Sequence, residues 1–236
     1  MQVYSRTHRG MIRSTNQDTL LIHSNLFGVA DGMGGHLGGE TASQLAVQVI
    51  ENMLANKPPS QTILRIGVEA ANRRVFERQK YDFALRGMGT TLTFLWESRD
   101  LVYIAHVGDS RAYLLRDRKM KCMTNDHSVV GEMIRNNTLT KGEAKVHPYR
   151  SVITRAIGTS PVVEADLLEV KKRPGDVWLI CSDGLFNMLD DTEIEDVLVH
   201  IREEEAVEKL LELTLERGAE DNVSILLGYV PEVPGA

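Results

Sequence analysis

Seven short apolar runs dictate most of what this chain can become: TLLIH (19–23), LFGVA (26–30), TLTFLWE (91–97), LVYIAHV (101–107), RAYLLR (111–116), VWLICS (177–182) and VSILLGYV (223–230). Each has strand length and is rich in Val, Ile, Leu and aromatic residues. Most are bounded by Gly, Asp, Asn or Pro, which is the pattern of buried β-strands. The step Arg99-Asp100-Leu101 predicts a tight hairpin between two of them. No run approaches the roughly 20 apolar residues that cross a bilayer. The opening MQVYSRTHRG lacks the apolar core of a signal peptide, so a cytoplasmic location with no membrane span is expected.

Helical stripes alternate with the strands. After the glycine-rich stretch 32–39, Ala42, Leu45, Ala46, Val49, Ile50 and Met53 recur at helical spacing, and Pro58-Pro59 ends that helix. Residues 61–78 predict a second helix, with Leu64, Val68, Ala71 and Val75 on one stripe. Ile194, Val197, Leu198 and Ile201 make a third. Val207, Leu210, Leu211 and Thr214 make a fourth, closed by Gly218. Glu203-Glu204-Glu205 reads as a solvated helix start favoured by the helix dipole. Residues 124–165 lack a long apolar strand and predict short helices and loops, a length that inside a compact domain points to function. One domain is expected over 1–236, with a flap-like subregion around 124–165 and a short tail at 231–236.

Bulk composition narrows the function classes. A net charge of -6 disfavours broad nucleic-acid binding, which calls for a basic surface. Cys122 and Cys181 form no CxxC pair and no disulfide framework, and Cys181 within VWLIC reads as a buried core thiol. The glycines around 32–39 do not match the phosphate-cradling pattern GxxxxGK[ST].

The acids fall where the strands stop. Asp31 follows LFGVA, Asp109 follows LVYIAHVG, Asp183 follows VWLICS, and Asp221 precedes the run beginning NVSILL. Asp-Gly, present at 31–32 and 183–184, is also a common turn dipeptide, so one such acid would mean little. Acids brought together on one rim would repel and raise one another's pKa. A hard cation such as Mg²⁺ or Mn²⁺ removes that conflict, and two such ions can activate a water and clamp a phosphoryl group.

The stretches around these acids resemble, in order along the chain, the motifs of the bacterial metal-dependent serine/threonine protein phosphatases of the PPM (type 2C) family. They are GMIRSTNQD (10–18), DGMGGHLGGETAS (31–43), GMGTTL (87–92), VGDSRAYLL (107–115), DHSVVGEMI (126–134), HPYRSVITRAIGT (147–159), CSDGL (181–185) and EDNVSILL (220–227). The resemblance implies an α+β fold: a four-layer αββα sandwich of two antiparallel β-sheets flanked by helices. It also implies hydrolysis of phosphoserine and phosphothreonine by direct attack of a hydroxide that bridges two metals. By position, Asp31 would bridge two Mn²⁺ or Mg²⁺ ions, with the carbonyl of Gly32 on the second. Asp183 and Asp221 would complete the first ion's protein ligands, and Asp18 would act close by through water. Asp109, with Asp183, would hold a weaker third ion, and Arg13 would grip the substrate phosphate. The catalytic set is therefore Arg13, Asp31 and Asp183. The expected partners are phosphorylated proteins and a cognate serine/threonine kinase pathway, with no nucleic acid, and the expected state is a monomer.

Two positions depart from the wider pattern. The eukaryotic branch carries a His after the bridging Asp-Gly, proposed as the acid for the leaving alkoxide. Here Met33 stands there, and a thioether cannot donate a proton. Neither His36 nor His147 is assigned that role, and His36 is expected to hydrogen-bond locally beside the glycine loop. Ser151 occupies a flap position that is often Asn. Two other readings use the same residues: an inactive phosphatase-like scaffold that binds phosphoproteins, and a two-metal hydrolase of small phosphoesters. The intact set Asp31, Asp109, Asp183 and Asp221 opposes the first, and only the flap separates the second from a protein phosphatase.

Overall fold

The structure is a computed structural model that describes residues 1–34 and 38–232. Its strands are β1 (Gln2–His8), β2 (Asp18–His23), β3 (Leu26–Met33), β4 (Gly89–Thr90), β5 (Leu92–Glu97), β6 (Leu101–Val107), β7 (Arg111–Arg116), β8 (Lys119–Cys122), β9 (Asp166–Lys171), β10 (Val177–Cys181) and β11 (Val223–Tyr229). Its α-helices are α1 (Gly38–Leu54), α2 (Gln61–Tyr81), α3 (Val129–Arg135), α4 (Lys141–Lys145), α5 (Asp183–Phe186), α6 (Asp191–His200) and α7 (Glu203–Glu216). One antiparallel sheet has the order β1-β11-β10-β7-β8. The other has the order β2-β3-β5-β6-β9, with β4 paired to β3.

The apolar runs are continuous because both faces of each sheet are covered. Alternate residues of a strand point to opposite faces. On β10, Trp178 and Ile180 join Phe27, Val29, Leu95, Val102, Ile104 and Leu226 in the core between the sheets. Val177, Leu179 and Cys181 turn the other way, onto Ile194, Leu198, Val207 and Leu210 of α6 and α7. On the second sheet, Leu92, Phe94 and Trp96 meet Ile50, Leu54, Leu64 and Val68 of α1 and α2. Helices therefore cover the outer face of each sheet, as the αββα expectation requires.

The seven runs and four stripes each mark an observed element, shifted by a few residues at the ends. Four strands had no such signal. β1 is an edge strand, only half-buried, whose sequence QVYSRTH alternates polar groups. β8 (KMKC) is likewise a short edge strand, β9 carries charge at both ends, and β4 has two residues. Cys181 is fully buried, as its setting implies. Segment 124–165 holds α3 and α4 between loops. A capping box of Thr140 and Glu143 starts α4, and Lys141 and Lys145 pair with Asp191 and Asp190 at the head of α6.

Trp178 is fully buried, and its indole Nε1 has no hydrogen-bond partner among the described residues. Trp178→Ala is expected to cost about 3–5 kcal/mol by removing the filler between the sheets. Trp178→Phe removes the unpartnered donor along with part of the volume. It is expected to cost less than about half as much. Equilibrium urea unfolding with excess Mn²⁺ checks both, and equal costs for the two variants would contradict the account.

Candidate active site

Antiparallel order brings the ends of β3, β6 and β10 and the starts of β2 and β11 to one edge of the sandwich. A cleft of about 460 Å³ opens there, and Asp31, Asp109, Asp183 and Asp221 all line it together with Arg13, Gly32, Met33 and Ser151. Asp18 does not line it. It sits behind, paired across the β2–β3 ladder with Asp31, and its Oδ2 accepts a 2.8 Å bond from Ser182 Oγ. Of the residues singled out from sequence, only His36 lies outside the described residues.

Close backbone approach makes this convergence possible. A Cβ on Gly184 would lie 2.1 Å from the carbonyl oxygen of Asn222, and one on Gly10 would lie 2.1 Å from that of Asp221. A larger residue at Gly184 would push the Asp183 loop away from Asp221–Asn222, and one at Gly10 would do the same to the loop that carries Arg13. Asp183 opens the four-residue helix α5, so it is a helix residue where a plain strand-end turn was the simpler expectation.

Asn222, passed over as one letter of a motif, fastens the loop that carries Arg13. Its Oδ1 accepts from the amide of Gln17 at 2.8 Å, and its Nδ2 donates to the carbonyls of Arg9 and Thr15 at 2.9 Å each. Thr90 and Thr91 hold the backbone of Asp31. Thr91 Oγ1 accepts from the Asp31 amide at 2.9 Å, and Thr90 Oγ1 donates to the Asp31 carbonyl at 2.9 Å. His127 braces the shoulder of Asp109: its Nδ1 accepts from the amide of Gly108 at 3.0 Å, and its own amide donates to the Gly108 carbonyl at 2.7 Å. Its neighbour Ser128 bridges to Ile153, which lines the cleft, so the 124–165 segment is tied to the acid rim. The blocks GMGTT, DHS and EDN hold these residues, and their roles come from side-chain bonds that spacing does not reveal.

The electrostatics are those of anions under stress. Burial, then the charges of Asp18 and Asp183, push Asp31 well above the ordinary carboxylate range. Burial, then Asp109 and Asp221, do the same to Asp183. Asp18 is raised to about 6 by burial, against the hydrogen bonds of Ser224 and Ser182. Asp109 is raised to about 7, first by burial and then by Asp126. Arg13 donates to Asp221 Oδ2 at 2.7 Å, a half-exposed pair that raises the guanidinium's own pKa.

The donor set suits hard divalent cations. It is all oxygen, and the buried atoms Asp18 Oδ1 and Asp183 Oδ1 have no hydrogen-bond partner. Among the described residues, no three acidic, histidine or cysteine side chains close on one point as in a prebuilt cage. Carboxylates spread around a cleft fit ions that keep several waters.

A family model described as Protein phosphatase 2C matches residues 7–224. The serine/threonine phosphatase stp of Listeria welshimeri is 36% identical over 96% of this chain and 95% of its own length. The serine/threonine protein phosphatase PstP of Mycobacterium tuberculosis is also 36% identical, but this chain spans only 44% of it. A crystal structure of that phosphatase overlays with a TM-score of 0.92 at 34% identity, covering 98% of this chain and 99% of that one. Another, of the PstP catalytic domain in complex with two manganese ions, has a TM-score of 0.91 at 33% identity, covering 98% of each chain.

Folded-state pKa values of about 6 for Asp18 and about 7 for Asp109 exceed the ordinary value of 3.8. A raised carboxyl stabilises the fold below its unfolded pKa, and that stability is lost as pH rises through the folded pKa. Chelated protein is expected to lose on the order of 1 kcal/mol or more between about pH 5 and 7. His106, held at about 4 by burial, is largely neutral in the fold across that window, so its titration in the unfolded chain offsets part of the loss. Thermal unfolding across this range tests the slope: saturating Mn²⁺ should abolish it, and a flat profile in chelated protein would contradict it.

Proposed function

Because the chain belongs to the protein phosphatase 2C family and is a metal-dependent serine/threonine protein phosphatase, we propose that Asp31, the carbonyl of Gly32, Asp183 and Asp221 hold two divalent ions, the number of manganese ions in the PstP complex. What carries this reading is that four aspartates from strands far apart in sequence line a single cleft with Arg13. When bound, such ions acidify a water for in-line attack on phosphorus and neutralise the phosphoryl oxygens. Asp18 supports the pair from behind, through water. Asp109, together with Asp183, takes a weaker third ion.

The chain's own residues supply grip and order. Arg13 exchanges Asp221 for the substrate phosphate, its planar fork meeting two phosphoryl oxygens. Asn222 keeps that arginine's loop in register. Met33 lines the cleft but donates no proton. The described lining residues include no His, Lys, Tyr or Cys. In this reading the leaving alkoxide takes its proton from a cleft carboxyl or from water.

Residues 1–236 form one phosphatase domain in this reading, with 124–165 as its flap. Ser151 and Ile153 of that segment line the cleft and meet the substrate. The enzyme consumes the product of serine/threonine kinases, so a cognate kinase is its natural opponent. The setting is a cytoplasmic monomer acting on phosphoproteins.

Release of phosphate from phosphoserine and phosphothreonine peptides is expected to need added Mn²⁺ or Mg²⁺, and full turnover after stringent chelation would refute the metal mechanism. Asp183→Asn is expected to lower kcat by at least about 100-fold. A loss under tenfold would remove it from the ligand set. Arg13→Ala takes away a charge-assisted bond and is expected to reduce kcat/KM by roughly 10- to 100-fold, mostly through KM. Asp109→Ala is expected to slow turnover while two Mn²⁺ remain in a binding titration; loss of all bound metal would contradict the third-ion assignment.

A further inference from the structure

The far end of the first sheet holds a second cavity that phosphate hydrolysis does not use. β10 runs from Val177 to Cys181 and delivers Asp183 to the catalytic cleft, so Val177 marks the opposite edge, about 13–17 Å away. A cavity of about 360 Å³ opens there between the β7–β8 turn, the 173–176 turn and the junction of α6 with α7. Arg116, Arg118, Arg173 and Arg202 line it, opposed within the lining only by Asp117 and Asp176. In a chain of net charge -6, that is a local reversal of sign.

The aspartates do not cancel it. Asp176 is buried and engaged: its carboxylate accepts two 2.7 Å bonds from Nε and Nη2 of Arg116 and a 2.8 Å bond from the amide of Arg173. That bidentate pair, with a 2.7 Å bond from Nη2 to the Lys171 carbonyl, fixes Arg116 as a rigid wall and leaves its Nη1 without a partner among the described residues. Among the described residues, the Arg202 side chain reaches only Glu232, at 3.3 Å, with both side chains exposed. Arg118 and Arg173 have no side-chain ion pair or hydrogen bond among the described residues.

Both arginines are also held in place by their backbones. Asp117 and Arg118 take left-handed φ values of 52° and 59° in the two-residue turn closed by the pairing of Arg116 with Lys119. Arg173 begins a turn closed by the Asp176 amide on its carbonyl at 3.2 Å, and Gly175 ties that turn to Val230 at 3.1 Å. Uncompensated guanidinium groups on fixed turns around a concave wall have the geometry that planar N–H forks use to bind phosphoryl oxygens. The size suits one phosphate and a small attached group, and the enclosure is too compact for an extended nucleic-acid backbone.

We propose that this arginine pocket binds a phosphoryl dianion, either free phosphate or a phosphate carried on a phosphorylated side chain, as a non-catalytic site. It stands apart from the catalytic assignments: chelation, which disables the cleft, leaves it intact.

The test uses the whole, chelated protein, in which the cleft's carboxylates repel anions. Inorganic phosphate is titrated while backbone amides and arginine Nε–H groups are followed by NMR, with sodium chloride at matched ionic strength as control. Saturable shifts are expected at 116–118 and 173–176, with little change at Arg13. Arg118→Asn combined with Arg173→Gln is expected to weaken binding by at least roughly tenfold. Arg13→Ala is expected to leave it unchanged. Both replaced residues are exposed, so Mn²⁺-dependent turnover of an aryl phosphate should match wild type and report the fold. A parallel titration with a phosphothreonine peptide separates the sources: tighter saturation by the peptide assigns a phosphorylated side chain, and tighter saturation by phosphate assigns the free anion. Absence of saturable shifts in wild type, equal shifts with chloride, or undiminished binding in the double variant would overturn the proposal.

Discussion

Carboxylates that share a cleft repel one another, and four of them line one edge of this sandwich with Asp18 buried just behind. The rest of the site is arranged around that repulsion. Asp31 and Asp183 cannot ionise easily where they sit, and the chain holds them together by backbone means that are indifferent to charge. Gly10 and Gly184 let two loops touch at the Asp221–Asn222 step, and the threonines of 90–91 hold Asp31 by its backbone. A divalent cation turns this opposed geometry into an attractive one, which is why metal dependence and fold are a single problem here.

Rigidity behind the site comes from burial on both faces of both sheets. Strand ends can project charged groups into solvent only if the strands themselves do not shift, and three apolar layers fix them. The loops at the rim carry the variable chemistry, while the strands set distance and angle.

Much of this was legible in the sequence, and the reasons are local. LFGVA and VWLICS announce themselves because each is apolar without interruption, and Asp31 and Asp183 stand out because they break those runs. β1 was not legible: an edge strand needs only one buried face, and its half-buried QVYSRTH offers no apolar run. Asp183 inside α5 was equally hidden, since a helix of one turn has no periodicity to detect. The alignment of the site acids followed from motif resemblance and strand ends. The fastening by Asn222 did not, because the three backbone groups it binds lie more than 200 residues away in the chain. The arginine pocket was invisible for the same reason: its four guanidinium groups come from three separate segments.

The pairing of β1 with β11 ties biosynthesis to competence. Gln2–His8 finds its neighbour only after Val223–Tyr229, about 200 residues later, has been made. The loop carrying Arg13 likewise waits for Asn222 to bind Arg9, Thr15 and Gln17. A growing chain therefore carries most of its acids long before it can arrange them.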